Sequence, residues 1–420
     1  FMGRGITPDN KGKNMPKNIF IAATGKDIGK STISFALIDK YQEAGYKVGF
    51  MKPLGQRWID SPWGRVEEDV VLMKKIFDLP EDPRDMNPIV VKKGFTEEYL
   101  SKMIRPDLKS KIISGYQAVA EDKDYVIIEG TGHSGVGSVL DKSNAEVAHL
   151  LNAQIVLVVD GGIGSSIDKL ELNRTFFEAS GLQVSGVIVN KVLKSKASKV
   201  EHYIKKYCDS KNLHYYGLIP YSPILSNPTL GQVIEEIEPE IIHETGERKT
   251  VMDSFVVGAS TTAEFMEFMQ EKSGNILLVF PAVRLDLIMA IPNLVNFTQS
   301  KDLRIHTVLF SGKHRPSKGA VRTLINHDVN VLWEGGETFA VISELSSISI
   351  KTRAEDSSKI EEIRERVKDG IDFDLIDSNI KPAKPQIPVM VTIKKQMGKI
   401  WAKILYQFRK IKQFFQNYKK

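Results

Sequence analysis

The sequence predicts an α/β fold: a parallel sheet with helices on both faces, followed by a second, smaller α/β domain. Three observations predict it. Five runs, "NIFIAAT", "KVGFMKP", "DYVIIEG", "AQIVLVVDG" and "VSGVIVNKV", are nearly continuous in Ile, Val and Phe, as strands covered on both faces are. Helical patterns such as 31–44 and 144–152 lie between them, which is the βαβ rhythm of a parallel sheet. A second rhythm, "DSFVVGAS", "GNILLVFPA", "RIHTVLFSG" and "VNVLWEGG", follows, and 420 residues are too many for one ordinary core.

Taken in order, residues 1–15 are polar and read as a leader or an appended segment, with natural translation expected at Met15. No apolar segment there resembles a secretory signal. Residues 16–235 are expected to form the first domain. Residues 223–250 carry turn residues, a helical pattern and polar "HETGERKT", and read as a connection. The second domain is expected over 236–380, with helical patterns at 261–272, 317–326 and 338–345 and an amphipathic charged helix and its exit at 357–378. Residues 381–392 contain Pro382, Pro385 and Pro388 and read as a stiff spacer. Over 393–420, Ile393, Met397, Ile400, Trp401, Ile404, Phe408, Ile411, Phe415 and Tyr418 recur at spacings of three and four, so a basic amphipathic helix is expected.

Composition narrows the class. Apolar residues make up 42% and charged residues 26%, as in ordinary globular proteins. Cys208 is the one cysteine, which leaves no disulfide framework and fits a reducing cytoplasm. No apolar run approaches the length that spans a bilayer. The net charge is +6, but 381–420 hold 11 Lys/Arg and no Asp or Glu, which leaves −5 on 1–380. A general nucleic-acid surface on the body is therefore not expected. The basic helix suits an anionic membrane surface, a partner protein, or the acidic body itself.

The segment Thr24-Gly25-Lys26-Asp27-Ile28-Gly29-Lys30-Ser31-Thr32 joins the first strand to a helix. A glycine-containing loop that opens a helix with Gly-Lys-Ser cradles phosphate. Its backbone N–H groups converge, the helix N-terminus is positive, and glycine lets the chain approach closely. Lys30 then reaches the β- and γ-phosphates of a nucleotide and the Ser31 hydroxyl takes a place on Mg²⁺. Thr24 stands where the usual pattern has glycine, so the loop is a variant P-loop. Glu129, at the carboxyl end of "DYVIIEG", is the candidate metal carboxylate. Asp69 is a second candidate, with a solvated helix-start charge as the alternative. Lys52, at another strand end, suits an anionic substrate or transition-state charge, with a surface lysine as the alternative. Asn190 ends a further strand, where its amide suits an adenine edge. Arg284 and Asp286 either hold a ligand in the second domain or pair with each other.

In order, "IFIAATGKDIGKST", "GFMKPLGQ", "EEDVVLMKK", "DYVIIEGTGH", "QIVLVVDGG", "GVIVNKV" and "GLIPYSPILSNPTLGQV" resemble the dethiobiotin synthetase-like P-loop domain. The form they resemble stands at the N-terminus of long bacterial phosphate acetyltransferases. Residues 250–350, through "VFPAVRLDLIMA", "VLFSG" and "GGETFAVISEL", resemble the DRTGG domain that follows it there. The resemblance implies ATP and Mg²⁺ held by Lys30 and Ser31, Asp69 and Glu129 as metal or substrate carboxylates, Lys52 on a carbamate made from a diamine and CO₂, and Asn190 on the base. It reaches only what precedes the acetyltransferase catalytic domain, so that chemistry is not expected of these residues. Lys26 is similar to the signature lysine of deviant Walker A ATPases, which implies an ATP-bridged homodimer. Two functions are expected: a P-loop ATPase that activates a small carboxylate or carbamate, or a regulatory nucleotide sensor.

Overall fold

The computed structural model describes residues 15–102, 106–297, 302–348 and 350–383. Six strands, β1 (Lys17–Ala23), β2 (Val48–Met51), β3 (Tyr125–Glu129), β4 (Gln154–Asp160), β5 (Val184–Val192) and β6 (His214–Pro220), form one parallel sheet in the order β6-β5-β4-β1-β3-β2. Every residue from Ile19 to Ala23 and from Val126 to Ile128 is fully buried, as the unbroken apolar runs require. From β1 the chain winds outward to β2, returns to β3, and crosses to β4. A crevice therefore opens at the carboxyl ends of β1 and β3, where the winding reverses.

Helix α1 (Lys30–Glu43) lies on this sheet and buries Ile33, Phe35, Leu37 and Ile38. Helix α2 (Glu68–Phe77) follows the hairpin formed by Trp58–Ser61 and Gly64–Glu67. Helix α3 (Leu230–Ile237) starts with a capping box, Thr229 and Gln232, and leads into the second sheet. That sheet contains β7 (Glu240–His243), β8 (Ser254–Val257), β9 (Gly274–Pro281), β10 (Leu303–Ser311) and β11 (Asn330–Glu334), in the order β7-β11-β10-β9-β8. Only β7 runs antiparallel. The second, smaller α/β domain is thus present.

The boundary expected at 236–380 is corrected. The chain leaves the second sheet near Ile348 and returns to the first domain. Ile360, Ile363, Val367, Ile371, Phe373, Ile376 and Ile380 are buried in the same core as β1, β3 and β4. Over 357–378, expected to hold a helix and its exit, lie α4 (Ser357–Glu362), a π-turn at Ile363–Val367 that continues it and, after a break at 370–371, α5 (Phe373–Asn379). The break has a cause: the Gly370 carbonyl accepts from Leu218 N–H at 2.9 Å, and Ile371 bridges Gly217, so 370–371 serve the edge of β6 instead of a helix. Asp39 on the outer face of α1 is paired with Arg364 at 3.2 Å and Lys368 at 2.7 Å, so α1 is covered on both sides.

Strands β6 and β7 are absent from the expected runs, and β7 lies inside the stretch 223–250 expected to be a connection. The spacer expected over 381–392 reaches the described residues only at 381–383, where Pro382 bridges Lys17. The leader up to residue 14 and the basic helix expected at 393–420 lie outside the described residues. No helix among the described residues is long and apolar enough to cross a membrane.

Candidate functional site

The loop after β1 carries two residues with left-handed backbone, Asp27 (φ 53°) and Gly29 (φ 106°). Glycine is required at 29 for space as well as for φ, since an added Cβ would sit 2.1 Å from the Asn190 amide nitrogen. That amide donates to the Ile28 carbonyl at 2.7 Å, and the Asn190 Oδ1 accepts from Lys191 N–H at 2.8 Å. Lys191 Nζ donates to the Asp27 carbonyl at 2.7 Å. Asn190 and Lys191 at the end of β5 thus brace the loop from outside. One N–H of the Asn190 amide, the group expected to face an adenine edge, is thus engaged on the loop. Thr24 is buried and its hydroxyl has no partner, while Lys26 and Asp27 are exposed at the cleft.

Lys30 is buried at the start of α1, and its Nζ donates to the Gly25 carbonyl at 3.1 Å. Burial lowers its ammonium to about 8, against the opposing pull of Glu129. Ser31 Oγ donates to Glu129 Oε1 at 3.0 Å. The parallel register that sets Ile21 beside Glu129 brings them together.

Behind this pair lies a buried charge cluster. Lys52 is bonded to Glu67 Oε1 at 2.8 Å, to Glu129 Oε1 at 3.3 Å, and to Asp69 at close range. Lys351, which follows the second domain in the sequence, reaches Asp69 Oδ2 at 2.5 Å. Glu67 also accepts from Arg57 N–H at 2.8 Å. Burial alone would lower Lys52, but Asp69, Glu129 and Glu67 outweigh it and hold the ammonium well above the ordinary lysine range. Burial raises Glu129 and Glu67 against the pull of Lys52. Asp69 goes the other way, because Lys351 and Lys52 overcome the burial that would raise it. Three carboxylates and the ammoniums of Lys30, Lys52 and Lys351 make a set in which no charge is buried uncompensated.

The residues present suit a nucleotide with a divalent ion in part. Glu129 Oε2 is buried with no partner, beside the Ser31 hydroxyl, so this pair offers oxygen ligands for Mg²⁺. Asp69 does not fit the metal role expected of it in this arrangement, since both lysines claim it. No group of three or more His, Cys, Asp or Glu suited to a metal ion is found among the described residues. The loop, Lys30, Lys52, Arg57, Glu67, Glu129 to Gly132, Asn190, Lys191 and Lys351 line one cleft of about 550 Å³. Of the expected site residues, Lys26, Asp27, Gly29 to Thr32, Lys52, Glu129 and Asn190 therefore meet around a single opening, while Asp69 lies buried behind it against Lys52 and Lys351. Glu67 and Lys351 are additions that sequence reasoning missed.

Residues 17–229, about half of the chain, match the family model AAA_26, an AAA domain. The chain belongs to that AAA domain family. In this AAA-domain chain, residues 232–348 match the model of a DRTGG domain. The phosphate acetyltransferase of Pseudomonas putida is 23% identical over 85% of this chain and 51% of its own length. That of Nitrosomonas europaea is 23% identical over 64% of this chain and 38% of its own. The ATP-dependent dethiobiotin synthetase BioD of Clostridium perfringens is 29% identical over 43% of this chain and 81% of its own. The chain thus spans about half or less of the length of the acetyltransferases it resembles.

In the second domain, Arg284 pairs with Asp286 at 2.7 Å and donates to the carbonyls of Gly258 and Ser260, each at 3.0 Å. The ion-pair alternative therefore describes these two residues. Cys208 is buried, and burial pushes its thiol up to about 12, so it is a core residue and not a nucleophile.

Proposed function

We propose that the chain binds ATP with Mg²⁺ at residues 24–32 and activates a small carboxylate or carbamate by phosphoryl transfer. The observation that carries this is the Ser31–Glu129 pair at the mouth of the crevice, with a spare carboxylate oxygen and with Lys30 inside the loop. The loop amides and Lys30 would hold the phosphates, and Ser31 and Glu129 the ion. The bound ion supplies charge neutralisation of the γ-phosphate. Lys52, fixed by three carboxylates, presents a permanent positive charge at the place where an acceptor's anionic oxygen would lie. A homodimer bridged near Lys26 and an anionic membrane or partner protein for 393–420 belong to the same proposal.

A second reading is favoured by one observation. Lys351 arrives from beyond the second domain, as a nucleotide sensor coupled to that domain would need.

Calorimetric titration of Mg-ATP tests the shared core of both readings. Lys30→Ala is expected to weaken binding about a hundredfold or more, the scale of two charge-assisted hydrogen bonds. Unchanged affinity in that variant sinks the assignment. Phosphate release that requires a diamine and bicarbonate supports the enzyme. Binding without such release supports the sensor.

A further inference from the structure

Residues 351–355 form a strap across the neck between the domains. Successive odd positions bond alternately to two helices. Lys351 Nζ reaches Asp69 in the first turn of α2, while its carbonyl accepts from Gln232 of α3 at 2.6 Å. Arg353 pairs with Glu235 of α3 at 2.6 Å, and Glu355 pairs with Lys75 of α2 at 2.9 Å. The Arg353 and Glu355 pairs are substantially exposed, and such pairs contribute little. The Lys351–Asp69 pair is buried on the Asp69 side and Lys351 lines the cleft, so this pair dominates the strap. An ammonium has three donors, and Asp69 takes one. The same cleft holds the Lys30 and Ser31 side chains.

We propose that Lys351 is an anion clamp: Asp69 positions its ammonium, and its remaining donors take an oxygen of the anionic ligand in the P-loop cleft. Because Lys351 belongs to the strap, ligand binding tightens the neck and is thereby coupled to the second domain. Coupling of this kind is reciprocal, so whatever displaces the strap weakens the ligand. Asp69 is accordingly a positioning residue whose partner set explains its depressed carboxyl. The proposal rests on the nucleotide reading for the identity of the anion, but not for the clamp itself.

The test is amide hydrogen exchange over 350–357, with and without Mg-ATP, on the full chain and on Lys351→Gln and Lys351→Arg. Without ligand, Lys351→Gln is expected to raise exchange across the strap several-fold, and Lys351→Arg to leave it as in the parent. With Mg-ATP, exchange is expected to slow in the parent and in Lys351→Arg but not in Lys351→Gln, whose affinity falls about tenfold. Parent-like exchange in ligand-free Lys351→Gln overturns the clamp, and so does an undiminished slowing by Mg-ATP in that variant. A parent that takes up no Mg-ATP defeats the nucleotide reading. The ligand-free comparison then still decides whether Lys351 holds the strap.

Discussion

Lys30 illustrates what burial does to a phosphate-binding lysine. Its ammonium is lowered to about 8, so the unfolded chain holds that proton more tightly than the folded one. Below pH 8 the full penalty is present. Between pH 8 and the ordinary lysine value the unfolded state carries more protons, so the Lys30 contribution to stability becomes more favourable as pH rises. Phosphate affinity runs the other way, since the charge is lost over the same window. Mg-ATP affinity is therefore expected to fall between pH 7 and pH 9 in calorimetry, and a flat profile would mean that other groups hold the phosphates. Lys30, Ser31 and Glu129 were legible in the sequence because loop and strand end are local patterns. Glu67 and Lys351 were not. Glu67 sits in a run of acidic residues that reads as solvated surface, and Lys351 is 282 positions from Asp69 along the chain. Nothing local marks either as part of a buried cluster.

At the level of elements, the phosphate loop depends on strand β5 as much as on its own glycines. Asn190 and Lys191 hold its backbone, and Gly29 leaves room for the Asn190 amide. Gly29→Ala is expected to cost about 1–3 kcal/mol in chemical denaturation, through the left-handed φ and the displaced amide. It should also weaken Mg-ATP binding, because Asn190 can no longer brace Ile28. Wild-type stability and affinity together would remove Asn190 from the loop's support. The strand runs of both sheets were readable from their apolar continuity. The sixth strand was not, because "HYYGLIP" mixes exposed and buried positions at a sheet edge, and nor was β7, four residues with no buried position inside a stretch that reads as a connection. The residues 357–378 read as a helix and its exit, but the place of the exit is set by a tertiary demand, the pairing of 370–371 with β6.

At the level of the molecule, the first domain is assembled from two separated stretches of chain. A chain ended after residue 348 would lose Ile363, Val367 and Ile376, each at most 1% exposed. Each contributes about 1.5–3 kcal/mol of burial, and their sum is comparable with the whole net stability of a domain. Such a chain is expected to show loss of the first domain's cooperative melting in calorimetry, while the second sheet, whose strands are contiguous in sequence, keeps its own. An intact first-domain transition would show that 354–383 only decorate its surface. The same arrangement sets an order of events at the ribosome. N-terminal domains usually complete themselves first as the chain emerges. Here the first domain must wait, unfinished, while the entire second domain is synthesised. At about 5–20 residues per second that wait is on the order of ten seconds. During this interval the face of α1 that the returning segment will cover stays open to chaperones and to neighbouring nascent chains.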